Sequence, residues 1–236
     1  MNENIDTNSH GEHNYIEGGF TGINFEDVYN QEMRMVTTVE EMFTGLTKDL
    51  SAFFRSLRKN WASENASNFS KEIFSLSEAY FKNIGTYADR IFNDINDSIR
   101  AYANSLGTGC TTHATNFSSI QLSENDFILD TKNINGVSGM NVKLVEDLLN
   151  YELPKISGNA INKMASLAQS ISIYDENGEQ QAIFETRRQA MKTLIYELLN
   201  TIESQIRSYV ETEKNTILLA KQQTVQNMSG SSSTNA

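Results

Sequence analysis

Cys110 and His113 are the residues whose types and spacing come nearest to nucleophilic chemistry. A thiol can pass its proton to an imidazole, but a catalytic cysteine also needs a third group that orients the base. The stretch Gly109-Cys110-Thr111-Thr112-His113-Ala114-Thr115 supplies no such group, so the thiol reads as a tolerated loop residue. His10 and His13 are three positions apart in a polar segment. Two ligands fall short of the three or four that a stable metal site needs. Asp175, Asn177 and Gly178 resemble the middle of a calcium loop, yet the positions that must hold acids carry Ile173 and Phe184, and a plain turn explains them. A di-iron helical site needs paired Glu-x-x-His motifs. The three histidines lie outside every helical stripe. No phosphate-cradling glycine loop, nucleophile elbow or zinc-protease motif is present. The expectation is therefore a non-enzymatic protein with no cofactor and no metal, working by binding.

Binding residues need elements to position them, and here the hydrophobic period is informative. Val39, Phe43, Leu46, Leu50, Phe53 and Leu57 recur at steps of three and four, an apolar stripe of heptad type. Met35, Val36, Met42 and Phe54 broaden it. The basic cluster Arg55, Arg58 and Lys59 suits a helix C-terminus. After Asn60, Ser63 is placed to cap a second helix. Its stripe reads Phe69, Ile73, Leu76, Tyr80, Ile84, Tyr87, Ile91, Ile95 and Tyr102, ending near Leu106. A third stripe starts near Asn141 with Val142, Val145, Leu149, Leu153, Ile156, Ala160, Met164, Leu167 and Ile171. Pro154 inside it predicts a kink or break. A fourth carries Phe184, Met191, Ile195, Leu198, Ile202, Ile206 and Tyr209, then Ile217 and Ala220.

The fold expected is all-α: two long helical hairpins forming an elongated antiparallel four-helix bundle. The divisions are a flexible N-terminal arm at 1–24, a hairpin at 25–106 turning at Trp61, a linker at 107–139, a second hairpin at 140–226 and a flexible tail at 227–236. Phe117, Ile120, Leu122, Phe127, Ile128 and Leu129 give the linker a short apolar stretch able to pack on the helices. The hairpins look like a diverged tandem, because Ser63 precedes Phe69, and Gly178 precedes Phe184, by six residues each.

Composition narrows the partners. Among 236 residues there is one proline, 39% are apolar, and the net charge is −11. Few breakers favour long helices over a β-sandwich. The charge repels phosphate backbones and anionic lipid, which argues against nucleic acid. A single cysteine excludes an internal disulfide. The opening MNENIDTNSHGEHNYIEGG has neither a basic region nor an apolar core, so it does not read as a signal peptide. The apolar run Ile217-Leu218-Leu219-Ala220 is far below the roughly 20 residues of a membrane span. Trp61, the sole tryptophan, sits at a turn. There it either plugs the hairpin end or stands exposed as an anchor for a partner.

The stretch Trp61-Ala62-Ser63-Glu64-Asn65-Ala66-Ser67-Asn68-Phe69 resembles the early-secreted-antigen-like, or Trp-x-Gly, substrates of bacterial type VII secretion. Those are helical hairpins with Trp-x-Gly at the turn, then a small residue and an aromatic, the places held here by Ala66 and Phe69. Ser63 replaces the family's glycine, and the resemblance covers about residues 28–106. The family pairs as antiparallel four-helix bundles, so a tandem chain would fold as its own dimer. The family's export signal, Tyr-x-x-x-Asp/Glu, is matched by Tyr209 and Glu213. The resemblance implies a type VII secretion substrate or its chaperone-like partner. Such a protein binds a protein partner or itself through apolar helix faces, with a secretion ATPase as a further partner. It implies a secreted protein without a cleaved signal, or a cytoplasmic one. The alternative is a structural helical component of a phage or other assembly with no export role.

Overall fold

The first apolar stripe folds as one uninterrupted helix. The computed structural model describes residues 14–16, 20–22, 25–133, 135–168 and 179–230. Strands β1 (Asn14–Ile16) and β2 (Phe20–Gly22) pair antiparallel. Helix α1 follows at Phe25–Asn60, then β3 at Trp61–Ala62 and helix α2 at Glu64–Ser105. Residues 106–141 hold a 3₁₀ turn at Phe117–Ser119, the short helix α3 at Glu124–Phe127 and β4 at Gly139–Met140. Helix α4 (Val142–Asp147) passes through a π-helical turn, Leu148–Glu152, into α5 (Leu153–Ala168). Helix α6 spans Glu179–Gly230. The fold is all-α, and no described helix is long and apolar enough to cross a membrane.

The chain forms two compact units. One comprises residues up to Lys48 with Glu78–Leu122 and Ile156–Glu197. The other comprises Asp49–Ser77, Ser123–Lys155 and the residues from Leu198 onward.

In the first unit Phe43 of α1 meets Phe81 of α2 edge-on at 5.9 Å and stacks on Phe117 at 5.7 Å. Phe92 reaches Phe117 from α2, also at 5.7 Å. Each ring is buried, and removing one from water is worth roughly 1.5–3 kcal/mol. The apolar stretch after α2 thus packs onto the helices through Phe117. Asp89 holds it there. Its Oδ1 accepts from the Phe117 N–H at 2.7 Å and from Thr115 Oγ1 at 3.0 Å, and its Oδ2 from the Ser118 N–H at 2.9 Å. Gly85 is needed for this approach, because a Cβ there would lie 2.5 Å from the Phe117 carbonyl oxygen. Lys163 of α5 pairs with Glu41 of α1, and Arg187 of α6 with Asp94 of α2. Arg188 of α6 donates to the Met164 carbonyl of α5 at 3.3 Å.

In the second unit Phe127 of α3 lies against Phe54 at 4.2 Å and Phe74 at 5.6 Å. Arg58 donates from Nη2 to the Asn125 carbonyl at 2.7 Å and from Nε to that of Ile128. Arg207 and Lys214 of α6 reach Asn150 at 3.0 Å and Glu146 at 3.3 Å.

The buried stripe of α1 contains every residue that its period singles out. On α2 the seam differs from the expected one. Leu76 is 42% exposed, while Tyr80, Tyr87 and Tyr102 are half-buried. Ser77, Phe81, Ala88, Ile99 and Ala103 are buried with the expected Phe69, Ile73, Ile84, Ile91 and Ile95. A strict three-four step drifts against 3.6 residues per turn by about 20° per heptad, so the seam crosses to a neighbouring row. Asn141 caps α4 through its side chain, which accepts from the Leu144 N–H at 3.3 Å. The interruption expected at Pro154 takes the form of the π turn just before it. Proline lacks an N–H and its ring crowds the carbonyl four residues back; a widened turn relieves that crowding. Ile171 and the turn at Asp175, Asn177 and Gly178 lie outside the described residues, as do His10 and His13.

Candidate functional site

The turn between α1 and α2 is built around Ser63. Its Oγ accepts from the Ala66 N–H at 3.0 Å, and its carbonyl accepts from the Ser67 N–H at 3.0 Å. This is N-cap geometry, in which a side-chain oxygen satisfies an otherwise unpaired amide of the first turn. Just before it, Trp61 and Ala62 are extended and pair with Met140 and Gly139. Asn141 adds a backbone bond to the Asn60 carbonyl at 2.8 Å. This ribbon turns the indole inward, where Trp61 is 0% exposed. It is a plug, and the exposed-anchor reading does not hold.

The indole meets two groups from the distant end of the chain. Trp61 Nε1 donates to Glu213 Oε1 at 3.0 Å and to Ser63 Oγ at 3.1 Å. The Ser63 hydroxyl also donates to Glu213 Oε1. Glu213 is 3% exposed, so these bonds replace the water that a buried carboxyl gives up. One turn earlier on α6, the Tyr209 ring lies 5.7 Å from the indole and 5.5 Å from Phe69. Trp61 and Phe69 are themselves 5.2 Å apart. The Tyr209 hydroxyl donates to Glu72 Oε2 at 3.4 Å. Burial first, then the Glu72 carboxylate, push the phenol above its ordinary pKa.

Six residues singled out from the sequence thus meet at one place: Trp61, Ser63, Ala66 and Phe69 from the turn, and Tyr209 and Glu213 from α6. Ala66 is fully buried. Glu72 and the Gly139–Met140 ribbon join them without a sequence signal of their own. The link carries no period that would pair it with Trp61. Glu213 did leave a signal, because it continues the buried series Ile202, Ile206 and Val210 at helical spacing, and an acid in an apolar stripe demands partners. Beside the indole a cavity of about 700 Å³ opens, lined by Lys59, Asn60, Met140, Asn141, Val142 and Ile217 among others.

The other candidates stay apart from this cluster. Cys110 is a half-buried free thiol. The His113 backbone carbonyl accepts from Asn96 Nδ2 at 2.6 Å. Among the described residues, no three of His, Cys, Asp and Glu gather closely enough to hold a metal ion. No family model, no curated protein and no solved structure matches the chain.

Proposed function

We propose that the chain is a non-enzymatic helical protein-binding protein, of the kind exported by a type VII-like secretion system or accompanying such a substrate. The observation that carries this reading is the meeting of the Trp61-x-Ser63 turn with Tyr209 and Glu213 across more than 140 residues of sequence. Spacing along the chain cannot bring this about, and the two groups are the ones that the resemblance names as turn motif and export motif. We further propose that α1, α2, α4–α5 and α6 pack as two hairpins of an antiparallel four-helix bundle. In support, the side-chain contacts of the first unit link α1 with α2, α2 with α6, α6 with α5 and α5 with α1. Its partners would be a helical protein or a second copy, and the secretion ATPase.

The test is a tagged copy in the native host, followed in cells and in culture medium. Wild type is expected in the medium only when the secretion ATPase is intact. Glu213→Gln, checked for retained helicity by circular dichroism, is expected to stay inside. Wild-type protein confined to cells while the machinery exports other substrates would refute the proposal. A second reading, a structural component of a phage or other assembly, is favoured by the burial of Trp61 and Glu213, which leaves both groups little surface to offer. Under that reading the Glu213 variant changes stability and nothing else.

A further inference from the structure

Glu32 occupies a place in α1 where the stripe calls for an apolar side chain, three and four residues before Met35 and Val36. It is 2% exposed, and neither of its carboxyl oxygens has a hydrogen-bond partner among the described residues. Asn96 of α2, whose side chain acts on this carboxyl, is 3% exposed. The Asn96 amide gives its Nδ2 to the His113 carbonyl at 2.6 Å, while its Oδ1 is likewise unpartnered. The site therefore holds three buried oxygens without a hydrogen bond; the His113 backbone N–H and the Asn96 amide lie near the carboxyl but do not close a bond to it. A buried acceptor without a donor costs about 1–3 kcal/mol, and a bare charge costs more. One hydrogen on the carboxyl serves two of these three oxygens at once.

We propose that Glu32 and Asn96 form a proton-binding site: the protonated carboxyl donates its hydroxyl hydrogen to Asn96 Oδ1, joining α1 to α2 and to the segment around His113. Release of the proton to solvent leaves a buried carboxylate beside the unpaired Asn96 Oδ1. The first turns of α1 then separate from Asn96 to let water in. Burial raises the Glu32 pKa from 4.5 to about 7. The His113 backbone, the Arg100 charge and the Asn96 side chain offset only part of that rise. Among the described residues, Arg100 of α2 is the charged group acting on the carboxyl. It is already engaged, with Thr112 Oγ1 at 2.6 Å and Asp97 at 3.6 Å. His113 is the titratable side chain on the facing segment.

Because the folded pKa exceeds the unfolded one, the contribution is complete below pH 4.5 and is lost as pH rises to about 7. The loss in folding equilibrium is on the order of 100-fold.

The experiment compares wild type with Glu32→Gln, whose amide donates to Asn96 Oδ1 as the neutral acid does. Thermal and urea unfolding are followed from pH 4.5 to 8.5. The ¹³C signal of the Glu32 carboxyl is read in glutamate-labelled protein and assigned by its absence from the variant. The expected result is a wild-type stability that falls across this window, a variant that lacks this fall, and a carboxyl titrating near neutrality. A carboxyl titrating in the ordinary acidic range would overturn the proposal, even if the variant fails to fold. So would an unchanged pH slope in Glu32→Gln, or stabilisation by added sodium or potassium at fixed pH, which would mean that a cation fills the site.

Discussion

Replacing Ser63 by glycine would complete the Trp-x-Gly pattern that the turn resembles, and here it is expected to destabilise the fold. Glycine is nearly as good an N-cap as serine, so the cap itself costs only a few tenths of a kcal/mol. The larger loss is the Ser63 hydroxyl, which bonds both Glu213 and the indole N–H. A buried hydrogen bond of this kind is worth about 1–3 kcal/mol, which sets the expected cost at roughly 1.5–3 kcal/mol. Glu213→Gln keeps an acceptor for the indole but weakens the same serine bond, for about 1–2 kcal/mol. Both substitutions remove one shared interaction, so the double variant should fall short of the sum by about 1–2 kcal/mol. The assay is urea unfolding followed by tryptophan emission. Trp61 is the sole tryptophan and is fully buried in the cluster, so its red shift reports opening there. Additivity within about 0.5 kcal/mol would show that turn and helix do not act as a unit, and the shared Trp61, Ser63 and Glu213 cluster as described would be wrong.

Asp89→Ala is expected to cost about 2–4 kcal/mol, since it strands the Phe117 and Ser118 amides; faster amide exchange at residues 115–119 would check it. Gly85→Ala gains about 1 kcal/mol of helix propensity, yet its Cβ would meet the Phe117 and Ser118 backbone within 2.6 Å. A net loss of about 1–3 kcal/mol in thermal unfolding is expected. Phe43→Ala, which removes the ring between Phe81 and Phe117, should cost about 3–5 kcal/mol. Leu76→Gln, at a site 42% exposed, should change stability by less than about 0.5 kcal/mol, whereas Phe81→Gln should prevent stable folding.

The helices were legible because their apolar residues repeat at the helical period, and α1 kept its phase from Met35 to Leu57. The seam of α2 was harder. Tyr80 and Phe81 are adjacent and both large, and the period alone does not decide which one faces inward. Residues 107–139 have no period, so their docking through Phe117 and Phe127 rests on contacts with residues far away in sequence. The candidate site was half legible. Trp61 and Ser63 stand out by type and place, and Tyr209 and Glu213 by their one-turn spacing. Their meeting depends on how α6 packs against the turn, which no local rule encodes. Glu32 and Glu213 share one mark, an acid on the buried face of a helix, though for Glu213 it is the spacing to Tyr209 that stands out.

The π turn before Pro154 carries one residue of slack. Over the eight steps from Val145 to Leu153, both buried, a regular helix advances about 80° past two full turns at 100° per residue. The wider turn at Leu148–Glu152 takes up most of that excess, which returns Leu153 to the side of Val145. Excising one residue and closing the gap as ordinary helix brings the two within about 20° of each other again. Tyr151 is 70% exposed, so losing it should cost little packing; the cost should come instead from the crowding that Pro154 regains in an ordinary helix, about 3 kcal/mol.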